Sequence, residues 1–177
     1  MAAAGDAARH PVEELLVFPA ARPLPAAAAT FAKWQEAVRL TMTGEKPGAM
    51  AMLMPHVADD VIFKPPTYFK PWQGKGPFLL LIETVSEVFG SSFRYRREWL
   101  SPDGRDWCLE FTAQVEGKEV TGVDLVRLNE SGQIAHFEVL LRPPNAVATL
   151  KAEMMRRVPP KMAQLQERMA AMPPSKL

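Results

Sequence analysis

The sequence is poor in the residues that most often build metal, redox and disulfide sites. It contains one cysteine, Cys108, and three histidines among 177 residues. A single cysteine excludes an internal disulfide and a CxxC motif. The histidines, His10, His56 and His136, are scattered, and no two have the HxxxH spacing of a zinc site. Because a phosphate-binding glycine loop is also missing, we expect no metal and no cofactor.

Neither charge nor hydropathy indicates a polyanionic or membrane partner. The chain carries 21 Lys and Arg against 20 Asp and Glu, a net charge of +1, so it has no basic field for nucleic acid. Its strongest apolar run, residues 78–82, is far shorter than the ~18 residues of a membrane span. The first 29 residues are rich in Ala and Pro and lack the basic start and apolar block of a secretory signal. We therefore expect a cytoplasmic protein that binds neither nucleic acid nor membrane.

Hydrophobic spacing predicts one α+β domain, a curved antiparallel sheet with helices on one face. Residues 1–29 are expected to form an extended lead-in, residues 30–157 the domain, and residues 158–177 a helical extension that begins where Pro159–Pro160 breaks a helix. The predicted helices are 31–43, 48–54, 78–89, 145–157 and 161–172. The predicted strands are 61–63, a short edge strand near Tyr68, 93–100, 106–116, 119–128 and 133–142.

An aspartate, Asp124, interrupts the apolar strand 119–128. An ionised carboxylate is costly to bury without a partner, so the direction of this side chain matters. A two-residue turn at 117–118 and a four-residue loop at 129–132 place Phe111 and Phe137 opposite Asp124. Both hairpins put the carboxyl on the apolar, helix-covered face of the sheet.

A third turn, around Pro102–Gly104, sets Trp99 opposite Trp107 and Tyr95 opposite Phe111. Tyr95 and Asp124 are then two strands apart, about 10 Å, which leaves room for a small molecule or a water between them.

A carboxyl on that face has two interpretations. Desolvation raises its pKa, and a perturbed carboxyl in an apolar cleft is typical of a general acid or base. Alternatively, Asp124 is a buried structural group that accepts hydrogen bonds. In the first case Asp124 and Tyr95 are the candidate catalytic residues, with Tyr95 as a hydrogen-bond donor.

Aromatic side chains supply the candidate wall of a ligand pocket. The predicted wall residues are Trp34, Tyr68, Trp72, Tyr95, Trp99, Trp107, Phe111 and Phe137, and Val139 is a further predicted ligand-binding residue. His56 precedes the first strand, where it either borders the pocket mouth or ends a helix.

The outer face of the sheet is too apolar for a fully hydrated surface and too polar for a core. It carries Val123, Leu125 and Leu140 among Thr121, Arg127, His136 and Glu138. A second copy of the chain covering this face is the predicted partner.

Several motifs, taken in order, resemble the SnoaL-like branch of the nuclear transport factor 2 (NTF2)-like superfamily. The resemblance covers about residues 30–155. The matching segments are DDVIFKPP (59–66), WQGKGPFLLLIETVSEVF (72–89), FRYRREW (93–99), GVD (122–124) and GQIAHFEVLLRP (132–143).

The resemblance implies a cone-shaped α+β fold, related to the cystatin-like fold, with a deep pocket, usually in a homodimer. Known members include polyketide cyclases, limonene epoxide hydrolase, ketosteroid isomerase and scytalone dehydratase. Asp124 matches the aspartate of the GVD motif. The sequence departs from the family at Val139, where the cyclases and the epoxide hydrolase carry an aspartate on the last strand, and it lacks the histidine pair of scytalone dehydratase.

Two functions follow from the sequence. The first is a pocket for a small apolar molecule, polyketide-, terpenoid- or steroid-like, with Asp124 as acid or base in cyclisation, isomerisation or dehydration. The second is a non-catalytic interaction module whose pocket is filled by side chains. An open cavity beside Asp124 favours the first, and a carboxylate fully paired among packed aromatics favours the second.

Overall fold

The computed structural model describes residues 24–171 and confirms the α+β class. The helices are α1 (Pro25–Thr43), α2 (Lys46–Leu53), α3 (Lys75–Phe89) and α4 (Pro144–Ala171), with short 3₁₀ turns at Met54–His56 and Gly90–Ser92. The strands are β1 (Val57–Lys64), β2 (Trp72–Gln73), β3 (Arg94–Leu100), β4 (Asp106–Val115), β5 (Lys118–Leu128) and β6 (Ile134–Arg142). The predicted lead-in lies mostly outside the described residues, and its last part, from Pro25 on, is helical.

Helix α1 begins at Pro25, earlier than the predicted start at residue 31, and Thr30 lies buried inside the helix. Pro25 stands in the first turn, where its missing N–H costs no hydrogen bond and its fixed φ suits the helix. Gly44 ends the helix with φ 94°, a left-handed conformation that glycine adopts without strain. The helix therefore places Trp34 and Ala37 against the core.

The sheet is mixed rather than purely antiparallel. Its strand order is β2-β1-β6-β5-β4-β3, and β1 runs parallel to β6 while the other neighbours are antiparallel. The short strand β2 lies at one edge, consistent with the prolines that precede it. The pairing of β1 with β6 joins segments about 75 residues apart and was not predicted.

The turn between β4 and β5 lies one residue earlier than predicted. Val115 pairs with Lys118, so Glu116 and Gly117 form the two-residue turn, both with positive φ. Positive φ at both turn residues is the type I′ pattern. Leu109, not Phe111, consequently lies opposite Asp124. The shift preserves the alternation of faces, because each partner moves by two positions.

The loop between β5 and β6 shifts the register in the same way. Val139, not Phe137, lies opposite Asp124, and the pairing is irregular between Arg127 and Leu128. The buried residues of β5 are Val120, Gly122, Asp124, Val126 and Leu128. Asp124 therefore faces the helices, as predicted.

Helix α4 is continuous through Pro159 and Pro160, so the predicted break is wrong. A proline inside a helix removes a hydrogen bond and crowds the preceding turn. Packing offsets that cost here, since Val158 is buried and Lys161 binds Glu87 of α3 at 2.6 Å. Within residues 24–171, no helix combines the length and apolarity that a membrane crossing requires.

Candidate functional site

A cavity of about 100 Å³ lies between the inner face of the sheet and helices α1, α3 and α4. Most of its lining is apolar, and the segment after β1, residues 65–68, borders it. An apolar cavity of about 150 Å³ takes up benzene. The space as it stands therefore suits a ligand no larger than a single ring, and a fused-ring ligand requires the walls to move.

Asp124 projects from the middle of β5 into this cavity. Asp124 is buried, with 5% of its surface exposed. Its neighbours on the adjacent strands are Leu109 of β4 and Val139 of β6. The Tyr95 hydroxyl donates a hydrogen bond to Asp124 Oδ2 at 2.7 Å. The two residues are two strands apart, as predicted. The expected gap between them for a ligand or a water is absent, because their side chains are directly hydrogen-bonded.

Trp34 completes a chain of hydrogen bonds. Its indole Nε1–H donates to the Tyr95 hydroxyl oxygen at 2.8 Å. An indole N–H can only donate, so the Tyr95 hydroxyl accepts from Trp34 and directs its own proton at Asp124. A side chain of α1 therefore sets the orientation of a hydroxyl on β3, which in turn holds a carboxyl on β5.

The second carboxyl oxygen of Asp124 is available to the cavity. Among residues 24–171 no other group forms a hydrogen bond with this carboxyl, and none of their fully buried side-chain polar atoms lacks a partner. Because Asp124 lines the cavity and Oδ1 has no partner among these residues, Oδ1 is the oxygen left for a bound molecule.

Burial changes the ionisation of both groups. Desolvation raises the pKa of Asp124 to about 7, although the hydrogen bond from Tyr95 opposes the shift. The pKa of Tyr95 lies well above its usual value, mainly because the hydroxyl is buried and because the Asp124 carboxylate is adjacent. Near neutral pH, Tyr95 is a neutral donor and Asp124 exists in both protonation states.

Gly122 explains how Tyr95 reaches Asp124. Phe111 and Leu141 pair with Gly122 from the two neighbouring strands, and a Cβ at this position would overlap both side chains. The missing side chain lets the Phe111 ring lie over the strand, where Tyr95 packs edge-on to it at 6.5 Å between ring centroids. A glycine within a strand signals such a close approach, which is how the sequence could have revealed it.

Six of the predicted wall and ligand-binding residues line the cavity: Trp34, Tyr68, Tyr95, Phe111, Phe137 and Val139. Helix α4 also contributes Leu150 and Met154 to the lining, which the hydrophobic spacing of the sequence did not predict.

The other predicted tryptophans lie elsewhere. A register shift between Tyr95 and Arg97 pairs Trp99 with Cys108 instead of Trp107. Trp99 therefore points to the outer face, 48% exposed, with the Arg97 guanidinium 5.2 Å from its ring. Trp107 is buried in the core and donates from Nε1 to the Gly104 carbonyl at 2.7 Å.

Trp72 and His56 are also outside the cavity lining. Trp72 lies on the edge strand β2 and packs edge-on against Tyr68, a cavity residue. His56 ends a 3₁₀ turn, and its Nδ1 lies 2.8 Å from the Thr30 hydroxyl. Because Thr30 donates its one proton to the Gly132 carbonyl, His56 Nδ1 is the donor in this contact. Burial lowers the pKa of His56, so it is a neutral connector of α1 to the sheet.

Metal-binding clusters are not found among residues 24–171, where no three His, Cys, Asp or Glu side chains converge. The polar groups at the cavity are hydroxyls and a single carboxyl, which suit hydrogen bonding and proton transfer to an organic molecule.

No protein-family model and no curated protein matches the chain, whereas many solved structures do. A steroid delta-isomerase from Pseudomonas aeruginosa is 32% identical; the match covers 81% of this chain and 98% of the isomerase, with a TM-score of 0.71. An uncharacterised bacterial protein with a cystatin-like fold, from Silicibacter pomeroyi, is 37% identical over 78% of this chain and 92% of its own length, with a TM-score of 0.66. The chain belongs to the NTF2-like superfamily.

A more distant NTF2-like structure has the same fold. It is an epoxide hydrolase/cyclase-like enzyme of pyran ring formation in the polyether salinomycin, 12% identical over 67% of this chain and 94% of the enzyme, with a TM-score of 0.51. At this identity the similarity is one of fold alone. The NTF2-like members similar to this chain thus include proteins described as an isomerase and as a cyclase-like enzyme.

Proposed function

We propose that this NTF2-like protein binds a small, largely apolar molecule in its cavity and moves a proton within it at Asp124. The observation that carries the proposal is the position of the carboxyl: Asp124 lines an apolar cavity and accepts a hydrogen bond from Tyr95 on one oxygen. Burial there raises the pKa of Asp124 to about 7. A general acid or base works best when its pKa lies near the operating pH.

A single carboxyl of this kind can both donate and accept a proton. In an isomerisation or a dehydration, a proton leaves one atom of the substrate and a proton is delivered to another. In a cyclisation, an oxygen at one end of the substrate is protonated while a nucleophile at the other end loses its proton. Each reaction returns Asp124 to its starting state and needs no cofactor. The Tyr95 hydrogen bond stabilises the carboxylate whenever it forms.

The isomerase among the relatives supports isomerase chemistry, which one carboxyl can carry out, over reactions that need two carboxylates. One similar structure is described as a steroid delta-isomerase and another as a cyclase-like enzyme. Val139 lies directly opposite Asp124, at the position where the resembling cyclases and the epoxide hydrolase carry an aspartate. The proposed mechanism therefore uses one carboxyl and one tyrosine.

A direct assay uses β,γ-unsaturated ketones of two sizes, cyclohex-3-enone and a Δ5-3-oxosteroid. Conversion to the conjugated ketone is followed by ultraviolet absorbance, and deuterium uptake from D₂O by mass spectrometry. We expect Asp124→Asn to lower the rate by roughly 10²–10⁴-fold. Asp106→Asn, an exposed aspartate paired with Arg127, is the matched control and should retain the wild-type rate. Equal rates for Asp124→Asn and wild type would contradict the assignment of Asp124.

The alternative of a non-catalytic module with a filled pocket is less well supported. It requires a fully paired carboxylate among packed side chains. Asp124 instead has one hydrogen-bond partner among the described residues and borders open space.

We also propose a homodimer formed through the outer face of the sheet. Leu140 is 54% exposed there, and Val123 and Leu125 are partly exposed beside it. An apolar strip within a rim of charged residues is typical of a subunit interface.

A further inference from the structure

We propose that the outer face of the sheet carries a binding site for the phosphate group of a phosphate monoester, formed by Arg96, Arg142 and the hydroxyls of Thr112 and Thr121. These four residues line one depression of the sheet surface. The site lies on the opposite face from the cavity and does not depend on the proposed proton transfer.

The pairing of three strands places the two threonines beside one of the arginines. Thr112 of β4 pairs with Thr121 of β5, and Thr121 pairs with Arg142 of β6. Val120 and Gly122 are buried on the inner face of β5, so Thr121 between them points outward together with its partners in the same row. The two hydroxyls and the guanidinium therefore share one surface of the sheet.

The second arginine comes from the edge strand β3. Arg96 lies in the irregular pairing between Tyr95 and Arg97, and its side chain lines the same depression as Arg142. In the strand order β6-β5-β4-β3, the two arginines stand on either side of the threonines. Two guanidinium groups thus border the same pair of hydroxyls from opposite sides.

Arg96 and Arg142 differ from the other arginines of residues 24–171 because their guanidinium groups have no internal partner. Each of the others donates to a carboxylate or a backbone carbonyl: Arg39, Arg94, Arg97, Arg105, Arg127, Arg156 and Arg157. The hydroxyls of Thr112 and Thr121 also form no hydrogen bond with the described residues, although other threonines do. The depression therefore collects donors that the fold leaves unused.

The charge of the depression is positive. Glu110 is the acidic residue that lines it, and Arg97 binds both oxygens of that carboxylate, with Nη2 2.9 Å from Oε1. Glu119 of β5 also faces outward but does not line the depression. The charges of Arg96 and Arg142 are thus left without a counter-charge in a chain whose net charge is only +1.

This set of donors fits a phosphate group better than a carboxylate. A guanidinium fork matches two phosphate oxygens, and hydrogen bonds between charged partners are the strong ones. Cross-strand neighbours such as Thr112 and Thr121 lie about 5 Å apart, so both hydroxyls can donate to oxygens of one phosphate group. Two unpaired positive charges match the dianion of a phosphate monoester, whereas a carboxylate carries one charge on two oxygens.

The site borders the apolar strip that we propose as the subunit interface. Thr121–Arg142 is the cross-strand pair next to Val123–Leu140. A phosphate group would therefore lie in the charged rim of that interface rather than in its apolar centre.

A titration of the full chain with inorganic phosphate, followed by amide NMR at pH 7.5 and constant ionic strength, tests the proposal. The amide signals of Thr112, Thr121 and Arg142 should shift along one saturable curve. Acetate should bind at least about tenfold more weakly, because it has fewer oxygens and half the charge.

The double variant Arg96→Gln/Arg142→Gln should raise the Kd for phosphate by at least about 30-fold, since it removes the charged donors. Arg39→Gln/Arg127→Gln is the matched control. It removes the same charge, from one arginine on α1 and one on the outer face that is paired with Asp106. The Kd of this control should change by less than about twofold.

Thr112→Val/Thr121→Val distinguishes a built site from a patch of positive charge. Valine keeps the shape and the charge of the surface and removes the two hydroxyls. The Kd for phosphate should rise by about 3–10-fold. The amide NMR spectrum of each variant checks that it is folded.

Two further ligands identify the source of the phosphate group. Phenyl phosphate represents a soluble monoester, and phosphatidylcholine vesicles with and without phosphatidic acid represent a lipid headgroup. Saturable binding of either one to the same residues supports the site and names its source.

Four results would overturn the proposal: no saturable shift with millimolar phosphate, equal affinity for acetate, a wild-type Kd in the Arg96→Gln/Arg142→Gln variant, or an unchanged Kd in the valine variant. None of these results bears on Asp124, so failure of this site leaves the proposed function of the cavity in place.

Discussion

Tyr95 controls the ionisation of Asp124 because it supplies the hydrogen bond that lowers the pKa of the carboxyl against the effect of burial. Tyr95→Phe removes this bond and leaves the indole N–H of Trp34 without its acceptor. We predict that the pKa of Asp124 rises further and that the free energy of unfolding at pH 8 falls by about 1–3 kcal/mol. Carboxyl-carbon NMR titration and urea unfolding measure the two effects.

Tyr68→Phe is the matched control for this prediction. Tyr68 lines the cavity, but its hydroxyl forms no hydrogen bond with the described residues. Its removal should change the free energy of unfolding by less than about 0.5 kcal/mol and leave the titration of Asp124 in place. Equal effects of the two substitutions would contradict the role assigned to Tyr95.

Gly122 is required by packing rather than by backbone conformation. In Gly122→Ala, the new methyl group would overlap the side chains of Phe111 and Leu141, and the Phe111 ring would have to move into the cavity. We expect a loss of about 1–3 kcal/mol in the free energy of unfolding and a smaller cavity. Gly48→Ala is the control, since a Cβ there meets nothing within 4 Å and alanine favours the helix. A stable Gly122→Ala with unchanged ligand binding would refute this account.

The face on which Asp124 lies could be predicted from the sequence, but its neighbours could not. The turn residues predict which side chains of neighbouring strands share a face. Moving a turn by one residue displaces each partner by two positions, so the shared face is unchanged. The contact with Tyr95 depends on the space above Gly122 and on a hydroxyl reaching across a strand. Such side-chain packing depends on the assembled sheet rather than on local spacing.

Strand β3 shows how one irregularity redirects side chains. Its irregular pairing between Tyr95 and Arg97 keeps Tyr95 on the inner face and turns Trp99 outward. Trp99, a predicted wall residue, therefore lies outside the cavity lining, whereas Tyr95 is part of it. A bulge of this kind has no signature in a segment of alternating Arg and aromatic residues, so the sequence could not reveal it.

Helix α4 depends on one acidic residue of α3 for the position of its last turns. Glu87 binds Lys161 at 2.6 Å and lies 3.9 Å from Arg157, on either side of the two prolines. We predict that Glu87→Gln increases amide hydrogen exchange over residues 161–171, while the global free energy of unfolding falls by at most about 1 kcal/mol, because the pair is partly exposed.

Glu153→Gln tests whether that effect is specific. Glu153 pairs with Arg156 and Arg157 within α4 and does not connect the helix to α3. Its loss should leave exchange over residues 161–171 close to the wild-type rate. Similar amide hydrogen exchange over residues 161–171 in both variants would mean that the packing of Val158, rather than the Glu87 ion pair, stabilises the helix beyond the prolines.

The whole sheet depends on a contact between distant segments. The parallel pairing of β1 with β6 closes the inner face beside Phe63 and Phe137, whose rings lie 5.8 Å apart. Local periodicity predicted both strands but carries no information on which distant strands pair. The cavity, which this pairing helps to enclose, was therefore predictable only through the resemblance to a family.

A charged substitution on the outer face of the sheet tests whether two copies of the chain associate there. Leu140→Glu places a carboxylate in the middle of the proposed interface and should convert a dimer to a monomer in sedimentation velocity. Met155→Glu changes a residue of equal exposure, 54%, on α4 and should leave the dimer intact. A wild-type monomer, or a dimer that tolerates Leu140→Glu, would rule out this interface.

The central claim is that Asp124 ionises near neutral pH inside an apolar cavity. Its most direct test is the free energy of unfolding from pH 4 to pH 8 for wild type and Asp124→Asn, with Asp106→Asn as the exposed control. The folded-state pKa is raised from 3.8 to about 7, so between these values the folded chain binds more protons than the unfolded chain. Stability from this group is therefore present at low pH and is lost as pH rises.

We predict that wild type loses roughly 4 kcal/mol relative to Asp124→Asn between pH 4 and about pH 8, where the curve reaches a plateau, if the whole shift is realised. The difference between wild type and Asp106→Asn should vary by less than about 1 kcal/mol over the same range. A wild-type curve that runs parallel to that of Asp124→Asn would mean that Asp124 ionises normally, and the proposed proton transfer would lose its basis.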